Sequence, residues 1–113
     1  MISAPPRPSI WSRMQRDFIA QVLPILRDAP EVITPTSWHR TAEANREEHG
    51  DEFSQHLVGL ALDITGASAD TRRRLARSGI VVVVEFDHVH LQMLPARQLR
   101  RWAERYGAWI LTA

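Results

Sequence analysis

Residues 59–65, "GLALDIT", place Asp63 inside a run that is otherwise apolar. Alternation puts Leu60, Leu62 and Ile64 on one face of a strand and Ala61 with Asp63 on the other. A carboxylate withdrawn from water costs roughly several kcal/mol unless charge or hydrogen bonds compensate it. Whatever this chain folds into must therefore bring compensation to Asp63. The candidates are a metal ion, a buried arginine, or a place at the rim of a cleft where water reaches it.

The rest of the pattern predicts what surrounds that strand. An apolar face at helical spacing (Ile10, Met14, Phe18 with Ile19, Val22) predicts a helix from about Ile10 to Leu23, N-capped by Ser9. Pro24 is expected to kink or restart it, and "ILRDAP" to close it before Pro30. "EVITPTSW" reads as a short strand, and "TAEANREEHG" as a short helix or structured loop. "SADTRRRLARSG" predicts a helix capped by Ser68 and stopped by Gly79. "IVVVVEF" predicts a buried strand, and "HVHLQML" one with His88, His90 and Gln92 on one face. "PARQLRRWAERYG" predicts a helix with Pro95 in its first turn and Gly107 past its end, and "AWILTA" a last strand. The order implies an α+β fold with a small, mostly antiparallel sheet flanked by helices.

Composition narrows the chemistry. With 113 residues, 44% hydrophobic and 24% charged, the chain suits one compact domain, preceded by an extended, poorly ordered leader over residues 1–8. The net charge of +1 gives no strong pull toward nucleic acid or anionic membrane, and the 14 basic residues are all arginine. The longest apolar run, residues 80–84, falls far short of the roughly 20 residues of a membrane span. The amino terminus lacks the basic and apolar regions of a signal peptide, which predicts synthesis in the cytoplasm and any export by another route. There are no cysteines, so disulfides and thiolate sites are excluded and a metal would need histidine and carboxylate ligands.

His56, just before the strand of Asp63, and His90, on the polar face of a neighbouring strand, supply two imidazoles. If the two strands pair, these three side chains converge at one end of the sheet. Two imidazoles and a carboxylate leave a fourth zinc position open, the layout of a catalytic site. A competing reading has the histidines at the surface and Asp63 paired with an arginine.

The surrounding residues add to this. "SQHLVGLALDI" resembles the Ser-x-His-x-x-Gly-x-Ala-x-Asp signature of the D-alanyl-D-alanine carboxypeptidase and L-alanyl-D-glutamate peptidase family, with Ser54, His56, Gly59, Ala61 and Asp63 matching. These are zinc peptidases of peptidoglycan whose fold is shared with the Hedgehog signalling domain. Upstream, "TSWHRTAEANREEHG" is similar to the family's Thr-Ser-Gly-Tyr-Arg segment, with Arg40 and Asn45 in register. Downstream, "FDHVHLQM" is similar to its Asp/Glu-x-x-His block. The likeness covers residues 32–93.

The resemblance implies His56, Asp63 and His90 as Zn2+ ligands and Asp87 as the catalytic base. It implies Arg40 as the group holding a substrate carboxylate or carbonyl, and Ser54 as a group that orients a ligand or meets substrate. Glu85 is the alternative base, and Asp87 is then a turn residue. His88 either bonds substrate or is polar filler; His39 and His49 are read as surface residues. On an unbroken strand Asp87 and His90 would face opposite sides, so a turn is expected around Glu85 to Asp87. Trp38 and His39 stand where the family has glycine and tyrosine, which alters the path of the Arg40 loop. Little sequence separates Asp63 from His90, which suits an open cleft for a bulky polymer. The implied function is hydrolysis of an amide bond in a peptidoglycan stem peptide by a monomer, as in a bacteriophage endolysin. A non-catalytic, zinc-stabilised binding module of the same fold is the alternative.

Overall fold

A computed structural model describes residues 8–48 and 50–112, with side-chain environments from Trp11 to Leu111. Most of the expected leader, the apolar role of Ile10 and the placement of His49 lie outside what is described, whereas Ser9, expected as the cap, lies inside the first helix, which already includes Pro8. The elements run α1 (Pro8–Asp28), β1 (Thr34–Ser37), α2 (Ala42–Glu47), a 3-10 turn (Gln55–Val58), β2 (Ala61–Thr65), α3 (Ala69–Arg77), β3 (Val81–Val84), β4 (Val89–Gln92), α4 (Gln98–Tyr106) and a second 3-10 turn (Ala108–Thr112). The four strands form one antiparallel sheet in the order β1-β2-β4-β3. This is the expected α+β architecture.

Strand register explains how the two faces divide. Leu62 pairs with Leu91 and Ile64 with Val89, so four apolar side chains share one face. That face joins Phe18 and Val22 of α1 and Leu75 of α3 in a single core. Phe18, Leu60, Ile64, Leu75 and Leu91 are completely buried. Ala61 opposite Gln92 and Asp63 opposite His90 fall on the other face. The sheet is apolar toward the helices and chemically equipped on its open side.

Several boundaries differ from expectation, each for a local reason. Helix α1 runs unbroken through Pro24. Pro24 and Ala20, whose carbonyl loses its amide partner, are both exposed, so water can satisfy what the ring removes. Trp11, not singled out from the spacing, is a buried core residue. Pro35 is tolerated in β1 because that strand is an edge. β3 is also an edge, not a buried strand: Val83 and Val84 are 39% and 64% exposed. Helix α4 begins at Gln98, with Pro95 outside it and Arg97 in the left-handed region at φ 67°. Residues 108–112 form a 3-10 turn in place of the expected strand. Ile110 and Leu111, adjacent in sequence, both pack on the core, which strand alternation would forbid.

Candidate metal centre

The centre assembles where the 3-10 turn 55–58 meets the β2–β4 ladder. Ser54 Oγ accepts from the His56 amide at 3.2 Å and so caps that turn. Gly59 closes it at φ 71°, a conformation other residues adopt reluctantly. A Cβ at Gly59 would also lie 2.8 Å from Gln15 Nε2, which donates to the Val58 carbonyl. His56 is thereby aimed at the open face of β2. His90 arrives there by register alone, directly across from Asp63.

His56, Asp63 and His90 each offer a ligand atom, and these atoms lie within 4.8 Å of one another. Asp63 divides its two oxygens. Oδ2 lies 3.2 Å from His56 Nε2 and 3.0 Å from an Arg40 terminal nitrogen; Oδ1 lies 3.0 Å from His90 Nδ1. Burial alone would raise the Asp63 pKa, but the imidazoles of His56 and His90 beside it outweigh burial and hold the carboxyl well below its usual range. For His90, burial would lower the pKa, and the contacts with Asp63 and Gln92 raise it instead.

The donor set fits a divalent ion. His56 Nδ1 meets the Trp38 carbonyl at 2.6 Å. A carbonyl can only accept, so Nδ1 carries the proton and Nε2 is a bare lone pair. That Nε2 is buried and has no hydrogen-bond partner, although Asp63 Oδ2 is close. An orphaned ring nitrogen beside a carboxylate calls for a cation between them. Neutral imidazoles and a carboxylate are a zinc ligand set.

Arg40 answers the charge of Asp63 from the other side. Its guanidinium donates to Ser37 Oγ at 3.0 Å, Asn45 Oδ1 at 3.3 Å and Asp63 Oδ2 at 3.0 Å. Asn45 is buried and bonds the Asp51 carbonyl in turn. A Cβ on Gly50 would fall 2.1 Å from Asn45 Oδ1, so this corner needs glycine. Three of the five guanidinium protons are used, which leaves two for another oxygen. Two of the three compensations weighed for Asp63, a cation site and an arginine, are therefore present together.

The loop carrying the two substituted residues is braced by hydrogen bonds to the turn of His56. The Trp38 indole donates to the Gly59 carbonyl at 2.9 Å, and His39 Nε2 lies 3.1 Å from the Leu57 carbonyl. His39, expected as a surface residue, is exposed but serves as a clamp on the turn that carries His56. The amide of Arg40 donates to the His56 carbonyl at 2.9 Å.

A turn does separate β3 from β4, over residues 85–88. It sets Asp87 and His88 at the rim of the cleft. Asp87 Oδ1 and His88 Nδ1 are 2.7 Å apart, and that hydrogen bond lowers the Asp87 pKa. His88 Nε2 lies 3.7 Å from Asp63 Oδ1. Asp87 is exposed and His88 only partly so. Glu85, the alternative base, also lines the cleft, with no direct bond to the three ligands. The cleft measures about 920 Å³ and opens broadly to solvent. Its far side carries Asp51, Phe53, Arg97 and Arg100.

Gln92 and Gln55 were not singled out for a role in the site. Gln92 Oε1 meets His90 Nε2 at 2.8 Å, and Gln92 Nε2 donates to the Leu94 carbonyl. The two-residue period of β4 places Gln92 beside His90, and that was the available signal. Gln55, adjacent to His56, exchanges two hydrogen bonds with Leu94, a contact no local pattern announces.

The family model for peptidase M15 matches residues 17–92, a span holding Arg40, Ser54 and all of the His56, Asp63, Asp87, His88 and His90 positions. No curated protein and no solved structure matched the chain.

Proposed function

The chain belongs to the peptidase M15 family, and from that premise we propose that it is a zinc-dependent peptidase hydrolysing an amide bond of peptidoglycan stem peptides. The observation that carries the proposal is the His56–Asp63–His90 cluster on the floor of an open cleft, with His56 Nε2 buried and unpartnered. Those three residues would hold the ion. Bound there, zinc supplies Lewis-acid polarisation of a carbonyl and lowers the pKa of water to about 7.

The protein groups divide the remaining work. Asp87, kept ionised by its bond to His88, takes the proton of the attacking water and returns it to the leaving amine. His88 stands between Asp87 and Asp63 and fixes where the Asp87 carboxylate sits. The two uncommitted protons of Arg40 steady an anionic oxygen of the substrate. Ser54 orients His56 through its amide. The breadth of the cleft suits a polymer-borne peptide better than a free dipeptide.

The test is digestion of purified peptidoglycan by the zinc-loaded protein, with and without a chelator, followed by mass spectrometry of the muropeptides. A chelator-sensitive loss of one peptide bond is expected, and the product masses tell whether D-Ala-D-Ala, L-Ala-D-Glu or a cross-link is cut. Asp87→Ala should lose about a hundred- to ten-thousand-fold in turnover while still binding zinc. Hydrolysis by that variant at the parent rate removes Asp87 from the mechanism. Zinc binding and peptidoglycan retention without hydrolysis in the parent identify a binding module instead.

A further inference from the structure

Helix α4 turns two arginines toward the cleft. Leu99 is buried in the core and fixes the start of the helix, while Arg97 and Arg100 on either side of it line the same cleft as His56, Asp63 and His90. The Arg100 guanidinium lies over the Phe53 ring, 5.1 Å from its centroid, and its Nε is 3.7 Å from Glu104 Oε1. These contacts hold the flat face and one edge of the fork and leave its terminal nitrogens uncommitted. Among the described residues, the Arg97 side chain has no hydrogen bond or ion pair. Asp51, on the same wall, accepts at Oδ1 from the Phe53 amide at 2.7 Å and pairs with neither arginine. Two like charges three residues apart on a helix repel, so the fold gains nothing from placing them together. The turn over residues 85–88 puts Glu85 and Asp87 on another side of the cleft. A carboxylate entering the cleft is therefore repelled by the β3–β4 turn and attracted to α4.

We infer that Arg97 and Arg100 form a carboxylate-binding position on the α4 wall, which takes an acidic group of the peptide away from the bond that is cut. The inference rests on reading the chain as a peptidase of stem peptides, and it narrows the substrate to one that carries a second anion. Arg40 serves the reacting end of the peptide, and the α4 pair sets which way the rest of it lies. A stem peptide offers two such groups, the free carboxylate of its D-Glu and its C-terminal carboxylate.

Three forms of the peptide L-Ala-γ-D-Glu-L-Lys-D-Ala-D-Ala separate these sources: both carboxylates free, the D-Glu carboxylate amidated, or the C terminus amidated. Calorimetry at low ionic strength, on the full chain kept metal-free so that the peptide persists, reads their affinities; hydrolysis by the zinc-loaded chain reads kcat/KM. The test variant joins Arg97→Gly with Arg100→Gln, since glycine suits the φ of 67° at position 97. Arg101→Gln, an exposed neighbour that does not line the cleft, is the control for net charge. The parent should bind one amidated form about tenfold more weakly than the free acid, the lower end of the worth of a hydrogen bond to a charged group. The double variant should lose that preference and Arg101→Gln should keep it; the form that the parent disfavours names the carboxylate held. Three results would overturn the inference: a parent that binds all three forms alike, a double variant that keeps the preference or weakens on all three equally, or an Arg101→Gln variant that loses it as the double variant does. A preference that is present, and lost in the double variant, in a chain that hydrolyses nothing supports the α4 position and rejects the peptidase reading alone.

Discussion

Arg40→Met offers a quantitative test of how Asp63 is compensated. The guanidinium nitrogen and Asp63 Oδ2 are 3.0 Å apart, and their side chains are 15% and 7% exposed. At that distance the Coulomb attraction is about 5 kcal/mol for an effective dielectric constant near 20. Removing one partner of such a buried pair typically costs about 3–5 kcal/mol, because the remaining charge stays out of water. Methionine keeps much of the length of the side chain, so the loss is mainly of charge and of the bonds to Ser37 and Asn45. In metal-free protein, urea denaturation should show a loss of at least about 3 kcal/mol. With zinc bound the divalent ion answers Asp63, and the loss should shrink by about 2 kcal/mol. Thermodynamic linkage then requires the variant to bind zinc roughly 30-fold more tightly than the parent, since about 1.4 kcal/mol is one factor of ten. Tighter metal and poorer hydrolysis in one variant is an outcome that a merely structural arginine does not produce. An equal penalty with and without zinc would refute the shared compensation of Asp63.

Two further perturbations test the frame around the centre. Gly59→Ala should cost about 1–2 kcal/mol in denaturant unfolding, from a φ of 71° and a Cβ contact of 2.8 Å with Gln15; an unchanged midpoint would mean that the turn carrying His56 is not held by its glycine. Glu31 accepts from the Ser68 amide and the Thr71 hydroxyl at the start of α3, and these bonds lower its pKa to about 2. A depressed carboxylate pKa gives stability that is present above the unfolded value and lost as pH falls, here from about 4.5 toward about 2. Glu31→Gln should therefore be less stable than the parent at neutral pH, with the gap closing through that window; a gap independent of pH in thermal melts would show that ionised Glu31 contributes nothing.

How much could be read from the residues depends on whether the deciding interaction was local. Asp63 and His90 were legible because strand alternation sorts side chains by face, and antiparallel pairing of β2 with β4 completes the meeting. The cap at Ser68 was legible because its side chain bonds a backbone amide only three residues on. The exposure of β3 was not, since four valines in a row look alike at the edge and at the centre of a sheet. The turn at residues 108–112 took its form from a core that Ile110 fills, which is information about distant residues. Arg40 was expected to meet substrate, and its anchoring to Ser37 and Asn45 depended on a loop whose path two substituted residues obscured.

The facing of Asp63 and His90 across adjacent strands gives the centre a role as a check on assembly. If β4 slid by one residue against β2, Val89 or Leu91 would stand opposite Asp63, and the imidazole would turn toward the helices. A cation gripped by both strands and by the turn at His56 would reward one alignment and no other. Refolding from denaturant with zinc present should accordingly suppress misaligned species that form when the ion is withheld, so that the same three side chains serve as foreman during construction and as workbench afterwards.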